Sequence, residues 1–280
     1  MKDIIHEKQD LKYLSWSYIR NSSGTAGSFL KSYTQIGNKK LYYKLSNFDI
    51  SKGIIGHECV NEIVVARLLK ILGIPHLEYQ LIHADIQIDK VNEVYLCSSE
   101  DFKIKGESKL ALDVYYESAR LEDETPLDFC IRKGWEQEIY QMLVVDFLIL
   151  NRDRHGANIE VLRNSEKKTI RLAPLFDHGL SLLFSCQTEE TIINYDVLED
   201  KTVNNFIGNR SPYENLQLIP KNKLPILNPL QEIDKNILLA GLDDIISPLL
   251  QEKIWQMVWE RWCVYESFCN SCRGKRDLSH

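Results

Sequence analysis

The sequence predicts an α+β protein of two lobes, an antiparallel sheet with one helix followed by a mainly helical lobe, and three observations carry that prediction. Between Trp16 and Cys97, aromatic and aliphatic residues gather in short runs separated by small or polar turn residues, the pattern of strands. Inside that region one stretch, His57 to Leu72, instead repeats its apolar residues at steps of three and four. Beyond about residue 100 the pattern is mostly helical, notably over Trp135 to Leu150 and Ile254 to Phe268.

Taken in order, Trp16 to Arg20 reads as a short strand, and the small and polar residues from Asn21 to Ser28 as a loop. Phe29 to Gln35 and Lys40 to Leu45 read as two strands joined by a turn at Gly37-Asn38. The helix from His57 to Leu72 carries Cys59, Ile63, Ala66 and Ile71, with Val60, Val64 and Leu68 alongside, and stops at Gly73 and Pro75. Leu77 to Ile82 and Val91 to Cys97 complete the strands. The polar run Ser98-Ser99-Glu100-Asp101 marks the expected boundary between a lobe of residues 1–100 and a lobe of residues 101–280. Gln187 to Leu230 is polar, with prolines at 212, 220, 225 and 229, and reads as a long, partly irregular connection in which substrate choice is expected to be written.

Composition narrows the function classes. Of 280 residues, 34 are Lys or Arg and 40 Asp or Glu, so the net charge of −6 repels a polyphosphate backbone and argues against nucleic acid as a direct partner. No apolar run approaches the ~18–20 residues that span a bilayer, and Met1 to Glu7 lacks the long apolar segment of a signal peptide. A cytoplasmic location with no membrane association is the expectation, export as an effector the alternative. Seven scattered cysteines read as reduced thiols. Cys269 and Cys272 have the spacing of half a metal site, but no second pair follows them. Trp255, Trp259 and Trp262, at steps of four and three, read as the core face of a C-terminal helix.

The chemistry is concentrated in two polar clusters. Asn151-Arg152-Asp153-Arg154-His155-Gly156-Ala157-Asn158 follows directly on the apolar helix end Val144 to Leu150, and Pro174-Leu175-Phe176-Asp177-His178-Gly179 follows the strand-like Thr169 to Leu172. An Asp, an Asn five residues later and a second Asp after a strand form the set that phosphoryl transfer from ATP uses, since that reaction needs a positioned acceptor oxygen and Mg²⁺ to neutralise phosphate charge. Mg²⁺ takes hard oxygen ligands. Asp153 is then the base or acceptor-orienting residue, Asn158 and Asp177 hold the metal, and His155 joins Asp153 in the catalytic loop, bracing it by hydrogen bonds in preference to moving a proton. The five-residue step from Asp153 to Asn158 equals that of the protein-kinase catalytic loop. The alternative is a set of Asp and Asn residues capping turns.

Upstream, Lys44 lies in a strand among apolar neighbours and needs an anionic partner. Glu62 is a suitable one, Glu58 one helical turn away is its competitor, and Lys39 and Lys40 are alternatives to Lys44 itself. Ser22, Ser23, Gly24, Thr25, Ala26 and Gly27 could offer backbone N–H groups and hydroxyls to phosphates, or form a plain hairpin loop. ATP would lie between the lobes, with Ser99, Glu100 and Phe102 of the Ser98 to Phe102 hinge presenting backbone groups to adenine.

In these motifs the sequence resembles the HipA-like serine/threonine kinases of bacteria, small relatives of the protein-kinase and phosphoinositide-kinase superfamily. Asn151 to Asn158 is similar to the family's N-x-D-x-H-G-x-N, and Pro174 to Asp177 to its metal-binding motif. Asn61-Glu62 with Leu72-Gly73 resembles its N-E helix, Lys44 its ATP-anchoring lysine, and Ser22 to Leu30 its phosphate-binding loop, where members can autophosphorylate. The resemblance spans about residues 16–185. It implies a protein-kinase-like fold, ATP and Mg²⁺, and transfer of the γ-phosphoryl group to Ser or Thr hydroxyls of a protein substrate. The family's toxins carry an additional N-terminal domain, pair with a helix-turn-helix antitoxin and phosphorylate an aminoacyl-tRNA synthetase. With its phosphate-loop candidate beginning about twenty residues in, this chain reads as a stand-alone kinase core, and an antitoxin-like regulator is implied by the resemblance alone. Two rival functions are a phosphoinositide kinase, whose D-R-H-x-x-N string is the same, and a non-catalytic nucleotide-binding scaffold.

Overall fold

The computed structural model describes residues 3–19, 26–37 and 39–273. In chain order the first part comprises β1 (Ile4–Asp10), β2 (Ser17–Ile19), β3 (Ala26–Ile36), β4 (Lys39–Lys44), the short pair β5 (Phe48–Asp49) and β6 (Gly53–Ile54), α1 (Glu58–Leu72), β7 (Gln80–Ile88) and β8 (Lys90–Glu100). The second part comprises β9 (Glu107–Ala111), α2 (Leu112–Ala119), α3 (Pro126–Arg132), α4 (Glu136–Leu148), β10 (Asp153–Arg154), β11 (Glu160–Asn164), β12 (Thr169–Leu172), α5 (Glu189–Ile193), β13 (Asn204–Asn205), α6 (Pro212–Gln217), α7 (Lys235–Leu238) and α8 (Pro248–Arg273), with two 3₁₀ turns at Gly156–Asn158 and Glu232–Asp234.

Six strands form the main sheet in the order β1-β7-β8-β4-β3-β2. All neighbours pair antiparallel except β1, which runs parallel to β7. The sequence gives little sign of β1, because only Ile4 and Ile5 are apolar in a strand whose other residues are His, Glu, Lys, Gln and Asp. It is held instead by pairing to β7 and by Asp3, which receives two hydrogen bonds from the Arg67 guanidinium on α1 at 2.7 and 3.1 Å.

Period-two alternation gives the sheet two apolar faces. Leu30, Tyr43, Leu45, Ile82, Ile86, Val94 and Leu96 close one face together with Leu11 and Leu14. On the other, Leu81 and Cys97 meet α1, which is buried on almost every side and continues into the core of the helical part. Val64, Val65, Leu68 and Leu69 have no exposed surface, and each such side chain contributes about 1.5–3 kcal/mol. The helix ends where Gly73 takes a φ of +76°, which frees its N–H and that of Ile74 to reach the carbonyls of Lys70 and Leu69. Central placement makes α1 the element through which the sheet and the helical part are positioned.

The segment from Gln187 to Leu230 is irregular apart from α5, β13 and α6, yet it is not peripheral. Ile192, Val197, Val203, Ile207, Leu216 and Ile219 are buried in the main core. Two of the three tryptophans of α8, Trp255 and Trp262, are buried, and Trp259 stacks on Trp255 with ring centroids 5.5 Å apart. Among the described residues no helix is long and apolar enough to cross a membrane.

Candidate active site

Strand β4 ends with Lys44 pointing at α1. Its ammonium donates to Glu62 Oε1 at 2.8 Å and to Asp177 Oδ1 at 2.6 Å. The competing glutamate is engaged elsewhere: Glu58 Oε2 accepts from the Asn47 N–H at 2.9 Å. The competing lysines also point away, Lys39 to Glu100 at 3.0 Å and Lys40 over the Tyr33 ring at 4.0 Å. Burial alone would depress the Lys44 ammonium, but the carboxylates of Asp177 and Glu62 outweigh it and hold the pKa well above the ordinary lysine value. The lysine is therefore a fixed cation. Cys59 holds its backbone in place, the thiol donating to the Lys44 carbonyl at 3.2 Å.

Asp177 lies in the left-handed region with φ +58°, which an aspartate tolerates better than most residues. Its N–H donates to the Tyr79 hydroxyl at 3.1 Å, and the next N–H, that of His178, donates to Glu62 Oε2 at 2.8 Å. Burial, then the negative charge of Glu62 and Asp177, keeps Tyr79 a neutral phenol. Burial likewise holds His178 neutral, well below the usual histidine range. Asn61, one residue before Glu62, donates to the carbonyls of Gly179 at 2.9 Å and Ser181 at 3.0 Å, strapping this loop to α1. Gly179 suits that proximity, since a Cβ there would sit 3.1 Å from Lys44 Nζ and 3.1 Å from Glu58 Cβ and crowd both.

The second cluster is built on Arg154, whose guanidinium has no exposed surface. It grips Asp146 at 2.9 and 3.0 Å and reaches the carbonyls of Asn158 and Phe176, each at 3.1 Å. One side chain thus ties α4, the loop bearing Asn158 and the residue preceding Asp177. Backbone bonds from Arg152 N–H to Leu180 at 2.9 Å and from Leu182 N–H to Ile149 at 2.6 Å knit the same two loops together. The Asn158 amide donates to the Asp153 carbonyl at 2.8 Å, which fixes the direction of its side-chain oxygen. Asp153 itself is partly exposed; Asn204 Nδ2 donates to its Oδ1 at 3.3 Å, and His155 Nε2 stands 3.7 Å from its Oδ2. His155 Nδ1 accepts the Ala157 N–H at 3.2 Å, the bracing bond of a loop histidine. Gly156 allows α2 to approach, because a Cβ there would meet the Asp113 side chain at 2.4 Å.

A cleft of about 500 Å³ opens beside Lys44 and Asp177, and Tyr79, Ser99, Phe102 and Phe176 are also among its walls, whereas Glu62, Asp153, His155 and Asn158 do not line it. Phe102 and Phe176 lie with ring centroids 5.5 Å apart, and Lys109 sits over Phe102 at 4.0 Å while pairing with Asp101 at 2.9 Å. Burial, then Asp101, pushes the Tyr42 hydroxyl in the same wall up to about 12. Glu100 differs from its neighbours, its side chain turning outward to Lys39. Ser22, Ser23, Gly24 and Thr25 lie outside the described residues, as does the side chain of Ala26, although the backbone of Ala26 and Gly27 opens β3.

Of the residues singled out in the sequence, Lys44, Glu62 and Asp177 come together, and Asp153, His155 and Asn158 share a loop that Arg154 ties to the residue before Asp177; Tyr79, Asp146 and Asn204, and the bracing role of Arg154, are not singled out there. Arg154 was visible inside the N-R-D-R-H string. Tyr79 and Asn204 reach the site only through tertiary folding and leave no local signal. Among the described residues, no group of three or more His, Cys, Asp or Glu gathers as a metal cage. One carboxylate and one amide oxygen, from Asp177 and Asn158, do fit a hard cation that keeps its water and phosphate ligands.

No family model and no curated protein matches the chain. Among solved structures it is similar to the Helicobacter pylori proinflammatory kinase CtkA, with a TM-score of 0.59 and 16% identity over 91% of this chain and 94% of that one. It is also similar to a chain of the Shewanella oneidensis MR-1 toxin–antitoxin complex of HipA, HipB and operator DNA, with a TM-score of 0.49 and 15% identity over 93% of this chain and 66% of that one. The chain has the two-lobed α+β fold of the kinase CtkA.

Proposed function

We propose that this chain transfers the γ-phosphoryl group of ATP to serine or threonine hydroxyls of a protein. The observation that carries the reading is the Lys44 ammonium, clasped by Glu62 and Asp177 at the wall of a cleft and tied through Arg154 to the loop bearing Asp153 and Asn158. Lys44 would bind phosphate oxygens with a charge that Glu62 keeps in place. Asp153 would orient the acceptor hydroxyl and take its proton, held for that purpose by Asn204 and by the Asn151 side chain that accepts its N–H at 3.2 Å. Asn158 and Asp177 would hold Mg²⁺, which when bound neutralises charge on the transferring phosphoryl group. Phe102, Ser99 and the backbone of Glu100 would face adenine. Residues 22–27 would offer backbone N–H groups and hydroxyls to the phosphates, and the Ser22 to Ser28 loop would be the place of autophosphorylation. The resemblance to the HipA-like family extends the reading to an antitoxin-like regulator.

Acceptor class is tested with γ-labelled ATP and Mg²⁺ offered a generic basic protein in one arm and phosphoinositide vesicles in the other. Label on Ser or Thr of protein is the expected result. Label on lipid alone would replace the reading with a lipid kinase, and nucleotide binding without label on either would favour a scaffold.

A further inference from the structure

Two lysines of the cleft are each held by a pair of carboxylates. Lys44 takes Glu62 and Asp177. Lys109 lies on β9, and the register of β9 with β11 sets it on the same face as Glu160. Its ammonium stands 2.9 Å from Asp101 Oδ1 and 3.9 Å from Glu160 Oε2, and with side chains 13–18% exposed none of the three is a surface charge. The same ammonium lies 4.0 Å from the Phe102 ring centroid and 5.5 Å from that of Tyr42. All five residues line the cleft, so the charge is part of its wall and not behind it. Asp101 is itself fixed, its Oδ1 accepting the Lys103 N–H at 3.0 Å and its Oδ2 the Tyr42 hydroxyl at 3.4 Å. The remaining cations of the cleft are placed differently: Lys31 pairs in register with Lys44, Lys40 lies over the Tyr33 ring at 4.0 Å, and Lys103 is exposed.

One wall joins the two lysines. Asp177 bonds Lys44, Phe176 before it packs on Phe102 with ring centroids 5.5 Å apart, and Lys109 stands over Phe102. A ligand with its anionic end on Lys44 and its ring system along the two phenylalanines reaches Lys109 with the edge of that ring system. An ammonium has three N–H donors, and among the described residues only Asp101 lies within hydrogen-bond distance of this one. Pockets fix a ligand's orientation with a few placed polar groups among apolar ones. We propose that Lys109 selects the base of the bound nucleotide by donating a hydrogen bond to a ring nitrogen of adenine, with Asp101 and Glu160 keeping the ammonium in place. This role rests on the cleft being the nucleotide site proposed above, and adds a side-chain contact to the backbone ones of Ser98 to Phe102.

Calorimetric titration of the full chain with ADP and its 1-deaza, 3-deaza and 7-deaza analogues, each lacking one ring nitrogen, tests this without transfer chemistry. At least one analogue is expected to bind wild type about tenfold more weakly than ADP. That deficit is expected to vanish in Lys109→Met, whose affinity for ADP falls by the same factor. Lys109→Arg, which keeps the ion pair and moves the donors, serves if Lys109→Met does not fold, and is expected to change the same deficit and no other. Deficits identical in wild type and variant overturn the proposal. ADP binding as tight as wild type or tighter in Lys109→Met overturns it too, the lysine then being a strap across the cleft. So does an equal loss for all four ligands, which lost charge alone would produce. Wild type that binds none of the four overturns the nucleotide reading itself, an outcome distinct from the others.

Discussion

The two charged clusters of this molecule are built from the same chemistry and differ in what they leave accessible. Lys44, Glu62 and Asp177 come from three elements far apart in the chain and meet beside a cleft that Lys44 and Asp177 line, with Glu62 buried behind them. Arg154, Asp146 and Asn151 come from nine consecutive residues and are sealed, none more than 5% exposed. A buried ion pair adds little net stability over an apolar replacement, but breaking one leaves an uncompensated charge. The sealed cluster is thus a brace whose loss is felt as unfolding, whereas the cleft cluster holds groups whose loss is felt as lost chemistry.

The sharpest way to break this contrast is at Arg154. Arg154→Met strands Asp146 and is expected to cost about 3–5 kcal/mol of stability, with the double variant Arg154→Met, Asp146→Leu recovering much of the loss in urea titrations. A single variant within 1 kcal/mol of wild type would remove the brace from the account. Among the groups proposed for the chemistry, Asp153→Ala is expected to lower phosphoryl transfer by at least about 100-fold while the urea midpoint stays near that of wild type. Equal losses of activity and stability would erase the distinction between the clusters.

The pH dependence separates the groups further. His57 titrates near 4 when folded and near 6.5 when unfolded, so between those values the unfolded chain binds the extra proton. Its contribution is full above pH 6.5 and lost as the pH falls toward 4, on the order of 2–3 kcal/mol, and His178 acts in the same direction. Lys44 has the opposite sign: its raised pKa stabilises the fold fully below about 10.5, and that contribution is lost as the pH rises above it. Urea midpoints at pH 7, 5.5 and 4.5 for wild type and His57→Gln should converge as the pH falls. Parallel curves would contradict the burial of a neutral imidazole. The smallest effect is expected at the exposed Lys39–Glu100 pair, where Glu100→Ala should change stability by less than about 0.5 kcal/mol and leave nucleotide affinity unaltered. A large loss of affinity would show that the side chain, and not only the backbone, of Glu100 serves the cleft.

Much of this arrangement is legible in the sequence where spacing alone carries it. The three- and four-residue repeat ending at Gly73 marks α1, and the alternation around Leu41 to Lys44 marks the strand that carries the lysine. What cannot be read is set by pairing between distant residues. The strand β1 has too few apolar side chains to signal itself, and Asn204 reaches Asp153 only because β13 pairs with β10. The choice of Glu62 over Glu58 also needed the structure, because both lie on one face of α1 and the decision rests on Asn47 engaging Glu58. The stretch from Gln187 to Leu230 reads as a connection, since its buried residues, Ile192, Val197, Val203 and Ile207, are spaced too widely for a periodic pattern.

The most direct measurement compares wild type with Asp177→Ala after incubation with γ-labelled ATP, Mg²⁺ and a generic protein acceptor, read by transfer of label and by intact mass. Label on wild type, and at least about 100-fold less on a folded Asp177→Ala, is the result this account predicts. Equal labelling of the two proteins would contradict it.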